Sequence, residues 1–497
     1  MSKLKRIMTA ACAVTLLCGS LAGCGSKQSA IDKDNPVISV MTMSYQVEPA
    51  ASDSPVMKAL EEYLGVDLDI QWVTSSGYGE KVTAAMGSGT YPMVMLVTEK
   101  SSSVINNSRA GTFWDITDKI DKYPNLSKAN KTVLNNISID GKVYGIYRAR
   151  TLGRNGITIR KDWLDKLNMK MPETIDDLYN VIKAFKEQDP DGNGQNDTFG
   201  IIMTTATSTF DNLAIWFGAP NKWGEDANGD LQPAHLTDEY FEAVKFVKKL
   251  YDEKLVNQDF ATYDGAKWDE QFISGNAGVI IDVADRARRD ASNIAKVNPN
   301  AEVGVLGYVK KDASSEAKTL PTTGYAGYYV FPKKALPVEG DLDFVLNVMD
   351  KMNDQEALNL MNYGIKDRHY TVGSDGFLTL VDDATLTKEF ADLNQLSSGI
   401  VETQLKQKYA TPVAEEVEKV YKDNENYVVA NPAEPLVSNT YSMKGPQLDA
   451  IISSANTKYI VGQIDETQYK AELEKWKQQG GADYIKEINE AYKALKK

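Results

Sequence analysis

Beyond Cys24 the chain has no cysteine; Cys12, Cys18 and Cys24 are the three it contains in 497 residues. No disulfide is then possible within a chain cut just before Cys24, so stability must come from core packing, which a chain of this length can supply in two or more domains. Histidine is nearly as scarce. His235 and His369 stand in unrelated contexts, which gives no support to a His-based triad or a multi-His metal site. After Ile31 no apolar run approaches the roughly 20 residues that span a bilayer. Positive charge is in deficit: 55 basic residues face 69 acidic ones, for a net charge of −14. Loss of Lys3, Lys5 and Arg6 with the N-terminus would take it to −17. Such a surface argues against nucleic acid and against a broad electrostatic hold on anionic lipid. G-x-S-x-G, H-E-x-x-H, P-loop and G-x-G-x-x-G motifs are absent. Ser315-Glu316-Ala317-Lys318 matches S-x-x-K by letter, but it lies in a polar stretch rather than opening an apolar helix. Asp and Glu are too common for sequence to rule a two-carboxylate glycosidase in or out.

What is present begins with an export signal. Lys3, Lys5 and Arg6 precede an apolar run from Ile7 to Leu21, and small residues follow. Leu21-Ala22-Gly23-Cys24 resembles the lipobox of bacterial lipoproteins. The resemblance implies a cut before Cys24, a diacylglycerol on its thiol, and a protein held at the extracellular face of a bacterial cytoplasmic membrane; two or more acyl chains give stable anchoring. The alternative is an ordinary signal that happens to contain a cysteine. Residues 1–23 read as signal peptide and 24–36 as a lipidated tether, being small, polar and patternless (GSKQSAIDKDNP).

Order then begins. Val37–Thr42 is a short β-rich run. Ser54-Pro55 opens a helix, with Val56, Leu60 and Leu64 on one face and Gly65 as its stop. Val66, Leu68, Ile70 and Trp72 alternate as in a strand, completing a β-α-β unit that favours parallel pairing. Met93–Val97 is an unbroken apolar run suited to a buried parallel strand. Beyond Arg160 come longer helices, a hairpin at Asp226–Asp230 with an Asn-Gly type I′ signal, a buried strand at Val279–Ile281, a strand at Tyr325–Phe331, and a mostly helical end after Thr411-Pro412.

Several segments resemble the extracellular solute-binding proteins of carbohydrate ABC importers, in particular the large lipoprotein branch of Gram-positive bacteria related to alginate-binding proteins. They are AGTFWDITDKID (110–121), DGKVYGIY (140–147), IRKDWLDKLNMKMPETIDDL (159–178), FISGNAGVII (272–281), GYAGYYVFPKKALP (324–337), NYGIKDRHY (362–370) and YIVGQID (459–465). The resemblance implies an α/β fold of the periplasmic-binding-protein type, class II, with two lobes, a hinge, a ligand cleft and extra C-terminal helices. On this chain it assigns 37–152 plus 320–375 to one lobe and 155–318 plus 376–497 to the other. Crossings fall near Arg150–Gly153, near Lys318–Thr322 and after Tyr370. It implies a monomer that binds an oligosaccharide and serves the permease subunits of an ABC transporter, and it is not an enzyme. The alternatives are a cell-surface glycoside hydrolase or polysaccharide lyase, or a peptide-binding lipoprotein.

The run Asp189-Pro190-Asp191-Gly192-Asn193-Gly194-Gln195-Asn196-Asp197 has the spacing of an EF-hand-type calcium loop. Asp189, Asp191, Asn193, the Gln195 carbonyl and Asp197 fall at ligand positions, and Gly194 at the sharp turn. The acidic residue that closes such loops is missing: Gly200 stands at the twelfth position and Thr198 just after the ninth. The competing reading is a turn made of good turn residues.

For the cleft, rings that stack on sugar faces and planar polar groups that pair with hydroxyls are wanted. Their placement nominates Tyr45, Tyr147, Trp216, Trp268, Tyr325 and Tyr328. Trp163 reads instead as core, on a helix face with Leu164 and Leu167. Arginine adds a second clue. Seven of the nine arginines after Cys24 fall in two segments: Arg148, Arg150, Arg154 and Arg160, then Arg286, Arg288 and Arg289. Guanidinium suits flat carboxylates, so Arg148, Arg150 and Arg286, with Asp282 beside them, are candidates for an acidic sugar such as a uronic-acid oligosaccharide. Structural salt bridges with Asp162, Asp282, Asp285 and Asp290 explain the clustering equally well.

Overall fold

The computed structural model describes residues 28–204, 207–264, 267–409 and 411–496. The signal segment and Cys24 lie outside the described residues. Two sheets organise the chain. The first runs β2 (Asp67–Thr74), β1 (Val37–Ser44), β3 (Val94–Val97), β11 (Tyr325–Val330), β4 (Gly145–Ala149). The second runs β10 (Val303–Leu306), β5 (Asn155–Arg160), β9 (Ala277–Val283), β6 (Phe199–Ile201). A hairpin joins β7 (Trp223–Glu225) to β8 (Leu231–Pro233).

Local chemistry builds the first sheet as read. Ser54 caps the helix Pro55–Leu64 by accepting from the Met57 amide, and Gly65 ends it at φ 77°. The chain then re-enters β2, parallel to β1. The β3 run, buried along its whole length, pairs parallel to β1. The late strand β11 inserts antiparallel between β3 and β4. Its register shifts between Tyr325 and Tyr328. There Gly327, at φ 101°, passes so near β3 that a Cβ would lie 2.7 Å from the Val97 carbonyl oxygen.

Each sheet has its own core. Helices Pro55–Leu64, Glu339–Lys351 and Gln355–Tyr363 supply apolar faces to the first. In the second, β9 is buried on both sides: Val279 and Ile281 meet one core, Ile280 another. The C-terminal helices Asn439–Ile460 and Glu466–Trp476 join the second body through Ala455, Tyr459 and Tyr469.

Three segments cross between the bodies. The Arg150 amide donates to the Gly324 carbonyl and the Thr322 amide to Leu152, both at 2.9 Å. The Thr319 amide donates to Tyr427 at 2.9 Å and the Val429 amide back to Thr319 at 3.0 Å. Fully buried Asn424 ties them, its Nδ2 donating to the carbonyls of Gly153 (2.9 Å) and Asn155 (2.7 Å). The third crossing comes later than the expected position after Tyr370. A small sheet of Tyr370–Val372, Phe377–Leu380 and Lys406–Gln407 intervenes, Leu393 and Leu396 still belong to the first core, and the second body is reached at Pro412–Asn424.

Two local readings are corrected. The Asp226–Asp230 loop is not a type I′ turn, because only Gly229 has positive φ; Asp226 accepts from the Asn228 and Asp230 amides and shapes the turn itself. The segment before Pro36 is not all tether. Ser29 Oγ donates to Asp341 Oδ1 at 2.6 Å, the Ala30 amide to Oδ2 at 2.9 Å, and Ile31 is buried in the first core.

Candidate functional site

The carboxyl ends of β3 and β4 and the start of β11 face the crossings, as does the end of β6, the edge where open sheets hold ligands. A cavity of about 760 Å³ opens there. The first body lends Thr132 and Asn136, the crossings lend Leu320–Thr323, and the second body supplies the rest. Met203 and Thr204 follow β6. Asp211 and Phe210 sit on the helix Ser208–Phe217. Lys222 and Trp223 open the hairpin and His235 follows it. Tyr441, Asp449 and Asn456 come from the long helix Asn439–Ile460, and Trp476 and Tyr484 from the chain after it.

Aromatic rings form one wall. Tyr441 and Tyr484 stack with centroids 4.6 Å apart, and Trp223 meets Tyr484 edge-on at 4.9 Å. His235 lies edge-on to Trp476 at 4.3 Å. Burial pushes the His235 pKa down to about 3, so its ring is neutral. Tyr240 accepts from Asn456 Nδ2 at 2.8 Å, and Asn456 Oδ1 accepts from Tyr469 at 2.8 Å, which fixes that amide.

Carboxylates form the polar rim, each held on one oxygen. Asp211 Oδ2 accepts from Thr207 Oγ1 (2.8 Å), Asp449 Oδ2 from Tyr441 Oη (2.8 Å), and Glu434 Oε2 from Asn431 Nδ2 (3.0 Å). The second oxygen of each remains an acceptor. Burial pushes the Asp211 carboxyl up, with Lys222 acting against it. Lys100, three residues past β3, reaches over from the first body and donates to the Glu434 carbonyl oxygen and, at 3.5 Å, to that of Ser138. Burial pushes its pKa down to about 8.

The residues nominated from sequence are not gathered in this cavity. Tyr147 is buried in the first core, its hydroxyl accepting from the Asn130 amide at 2.8 Å. Tyr328 is fully buried in the same core. Trp216 is buried in the second core, and Trp268 is buried with its Nε1 donating to Ile202 at 3.1 Å. These four are core residues: closeness to a strand or helix end along the chain did not reveal which face each occupies. Arg286 lies over Trp268 at 4.5 Å and is engaged by Asp282 at 2.6 Å and by Asp269. Arg154 pairs with Asp285 and Arg160 with Asp162. The arginine clustering is therefore largely structural. Arg148 donates to Gln395 Oε1 under the 392–400 segment, while Arg150 is exposed at the crossing. Tyr45 is 57% exposed past β1. Tyr325 is half-buried beside the cleft, where burial and the charges of Glu434 and Glu99 raise its pKa. None of Tyr45, Arg148, Arg150 or Tyr325 lines the cavity.

The Asp189–Asp197 loop lies apart from the cavity. Asp189 accepts from the amides of Gly192, Asn193 and Gly194 at 3.0–3.1 Å. Asn193 Nδ2 lies 2.8 Å from Asp191 and 3.2 Å from both oxygens of Asp197. Among the described residues, no group of three or more His, Cys, Asp or Glu is drawn together as a metal cluster.

The chain matches the family model described as bacterial extracellular solute-binding protein over residues 44–342. It is 38% identical to lipoprotein LipO of Bacillus subtilis (strain 168) over 496 residues, covering 97% of this chain and 98% of that one. It is 36% identical over 495 residues to the polygalacturonan/rhamnogalacturonan-binding protein YtcQ of the same organism, with the same coverage. Among solved structures, the S. pneumoniae ABC-transporter substrate-binding protein FusA, an EF-hand mutant in complex with fructo-nystose, superposes with a TM-score of 0.62 at 20% identity. That match covers 93% of this chain and 99% of the other.

Proposed function

We propose that this chain, which belongs to the bacterial extracellular solute-binding protein family, captures an oligosaccharide between its two lobes and delivers it to the membrane subunits of an ABC importer. The observation that carries the reading is the cavity wall itself. Stacked Tyr441 and Tyr484, with Trp223 and Trp476, offer faces for sugar C–H surfaces, and Asp211, Asp449 and Glu434 each keep an acceptor for hydroxyls. The volume of about 760 Å³ suits a small ligand largely enclosed by protein. The descriptions of YtcQ and FusA support the same ligand class.

The mechanism is capture by closure. Only the closed arrangement brings Thr132 and Asn136 of one lobe and the aromatic wall of the other onto one ligand, so ligand favours it. The reading also includes a monomer, lipidated at Cys24, outside the cell, that binds its ligand without turning it over. Calcium belongs to it as a structural ion held by Asp189, Asp191, Asn193, Asp197 and the Gln195 carbonyl. The loop fits that role: the Asn193 amide lies between two carboxylates, and rotation of that amide exchanges a donor for an oxygen ligand.

Titration calorimetry against oligosaccharide and peptide panels, with product analysis of the same mixtures, tests the reading. Saturable heat with an oligosaccharide and no new product is expected. Turnover of the sugar, or binding to peptides alone, would refute it.

A further inference from the structure

We propose that Lys222 is the residue by which this cavity recognises a carboxylate, and that the preferred ligand is an acidic oligosaccharide; the proposal rests on the oligosaccharide reading above. Arg148 and Arg150, nearest the first crossing, do not line the cavity, and the other arginines of the two segments near it are engaged: Arg154 with Asp285, Arg160 with Asp162, Arg286 with Asp282 and Asp269. A ligand carboxylate would have to displace those partners. The Lys100 ammonium is held by the carbonyl oxygens of Glu434 and Ser138. Lys222 differs from all of these. It lines the cavity, and among the described residues no carboxylate lies within ion-pair distance of it.

Its placement is also specific. Lys222 has φ 61°, a left-handed conformation that side chains with a Cβ rarely adopt, and its carbonyl accepts from the Ala234 amide at 2.7 Å. The hairpin therefore fixes a strained position at the cavity, and a lysine stands there rather than glycine. The cavity's carboxylates are suited to the other half of an acidic sugar. Asp211, Asp449 and Glu434 accept hydrogen bonds from hydroxyls and repel a carboxylate, so a ligand's acid group is steered to Lys222 and its hydroxyls to them.

A purely structural role would have Lys222 offset the buried Asp211, whose carboxyl feels its charge. Calorimetry on the purified protein separates the two roles. The probes are trigalacturonic acid and a neutral galactose trisaccharide of the same linkage, titrated into wild type, Lys222→Met and Lys222→Arg at two salt concentrations. Expected is a loss of about 10-fold or more for the acidic trisaccharide in Lys222→Met, a change under about 2-fold for the neutral one, and substantial retention in Lys222→Arg. The acidic sugar's affinity in wild type should fall as salt rises. Equal loss for both sugars, no loss for either, or wild-type preference for the neutral sugar overturns the assignment and leaves the oligosaccharide reading standing. Binding of neither sugar, with peptide binding instead, overturns both. Lys222→Arg carries the comparison if Lys222→Met fails to fold.

Discussion

Asp290 is fully buried, and neither of its carboxyl oxygens meets a hydrogen-bond donor. Desolvation raises its pKa from the ordinary 3.8 to about 6, while Arg289 and Arg286 pull it down and Asp285 pushes it up. A pKa raised on folding means that the native state holds the proton more tightly. The contribution is fully present below about pH 4 and is lost as pH rises through about 6; beyond that the buried anion costs about 3 kcal/mol. Asp290→Asn removes the charge. Urea unfolding should show the variant gaining on wild type by about 2–3 kcal/mol between pH 4 and pH 8. A stability difference flat across that range would sink the argument. Single residues were also where sequence was least informative about the site. Trp163 read correctly as core, because its neighbours Leu164 and Leu167 share its helical face. Tyr147, Tyr328, Trp216 and Trp268 misled, since a ring near an element's end can face either way. Lys222, Asp449 and Tyr484 carried no signal at all: a left-handed lysine and two helix positions are recognisable only from the folded cavity they line.

Elements were more legible than residues. Ser54 and Gly65 bound their helix, alternation marked β2, and an apolar run marked β3, because each signal is local backbone chemistry. The Asn-Gly signal found the hairpin but not its turn type, which Asp226 decides by hydrogen-bonding two amides. The 189–197 loop is the element with the sharpest test. Its carboxyls influence each other: Asp189 is held below the usual range by the hydrogen bond from Asp191 and by three amides, while Asp191 is raised by burial and by the hydrogen bond to Asp189. A cation among them relieves the repulsion and stabilises the native state by RT ln(1 + [L]/Kd), about 2.7 kcal/mol at 100 times Kd. Calcium should therefore raise Tm, and a chelator reverse the rise. Asp191→Asn should lose most of the calcium response while keeping sugar binding. Thermal melts that ignore calcium would remove the ion from the account.

The two-lobe architecture was legible through resemblance rather than periodicity, since insertion of β11 between β3 and β4 pairs residues about 180 to 230 positions apart. Composition hides that part of the 24–36 segment docks, because Ser29 and Ala30 find their partner, Asp341, about 310 residues away. Were Cys24 lipidated, only four residues would lie between it and the docked Ser29, a reach of about 18 Å at full extension. Besides the crossings, Val428 and Val437 pack against the first core. Leu495 lies against Gly141, where a Cβ would come within 2.8 Å of it, and Lys100 donates to the Glu434 carbonyl. The Lys100 contact predicts that closure is proton-linked. Burial lowers the Lys100 pKa to about 8, with Glu434 opposing the fall and Lys222 adding to it; lobe opening that exposes the amine would return it towards 10.5. A pKa lower in the closed state means that closing releases a proton, so closure is favoured as pH rises through about 8 and the gain levels off near 10.5. Ligand affinity should increase over that window by mass action on the closed population. Lys100→Met removes the titrating group together with its bond to the Glu434 carbonyl at the cavity rim, and should flatten the slope. Affinity measured by calorimetry from pH 7 to pH 10 in both proteins decides it: parallel curves would mean that Lys100 does not couple proton release to closure.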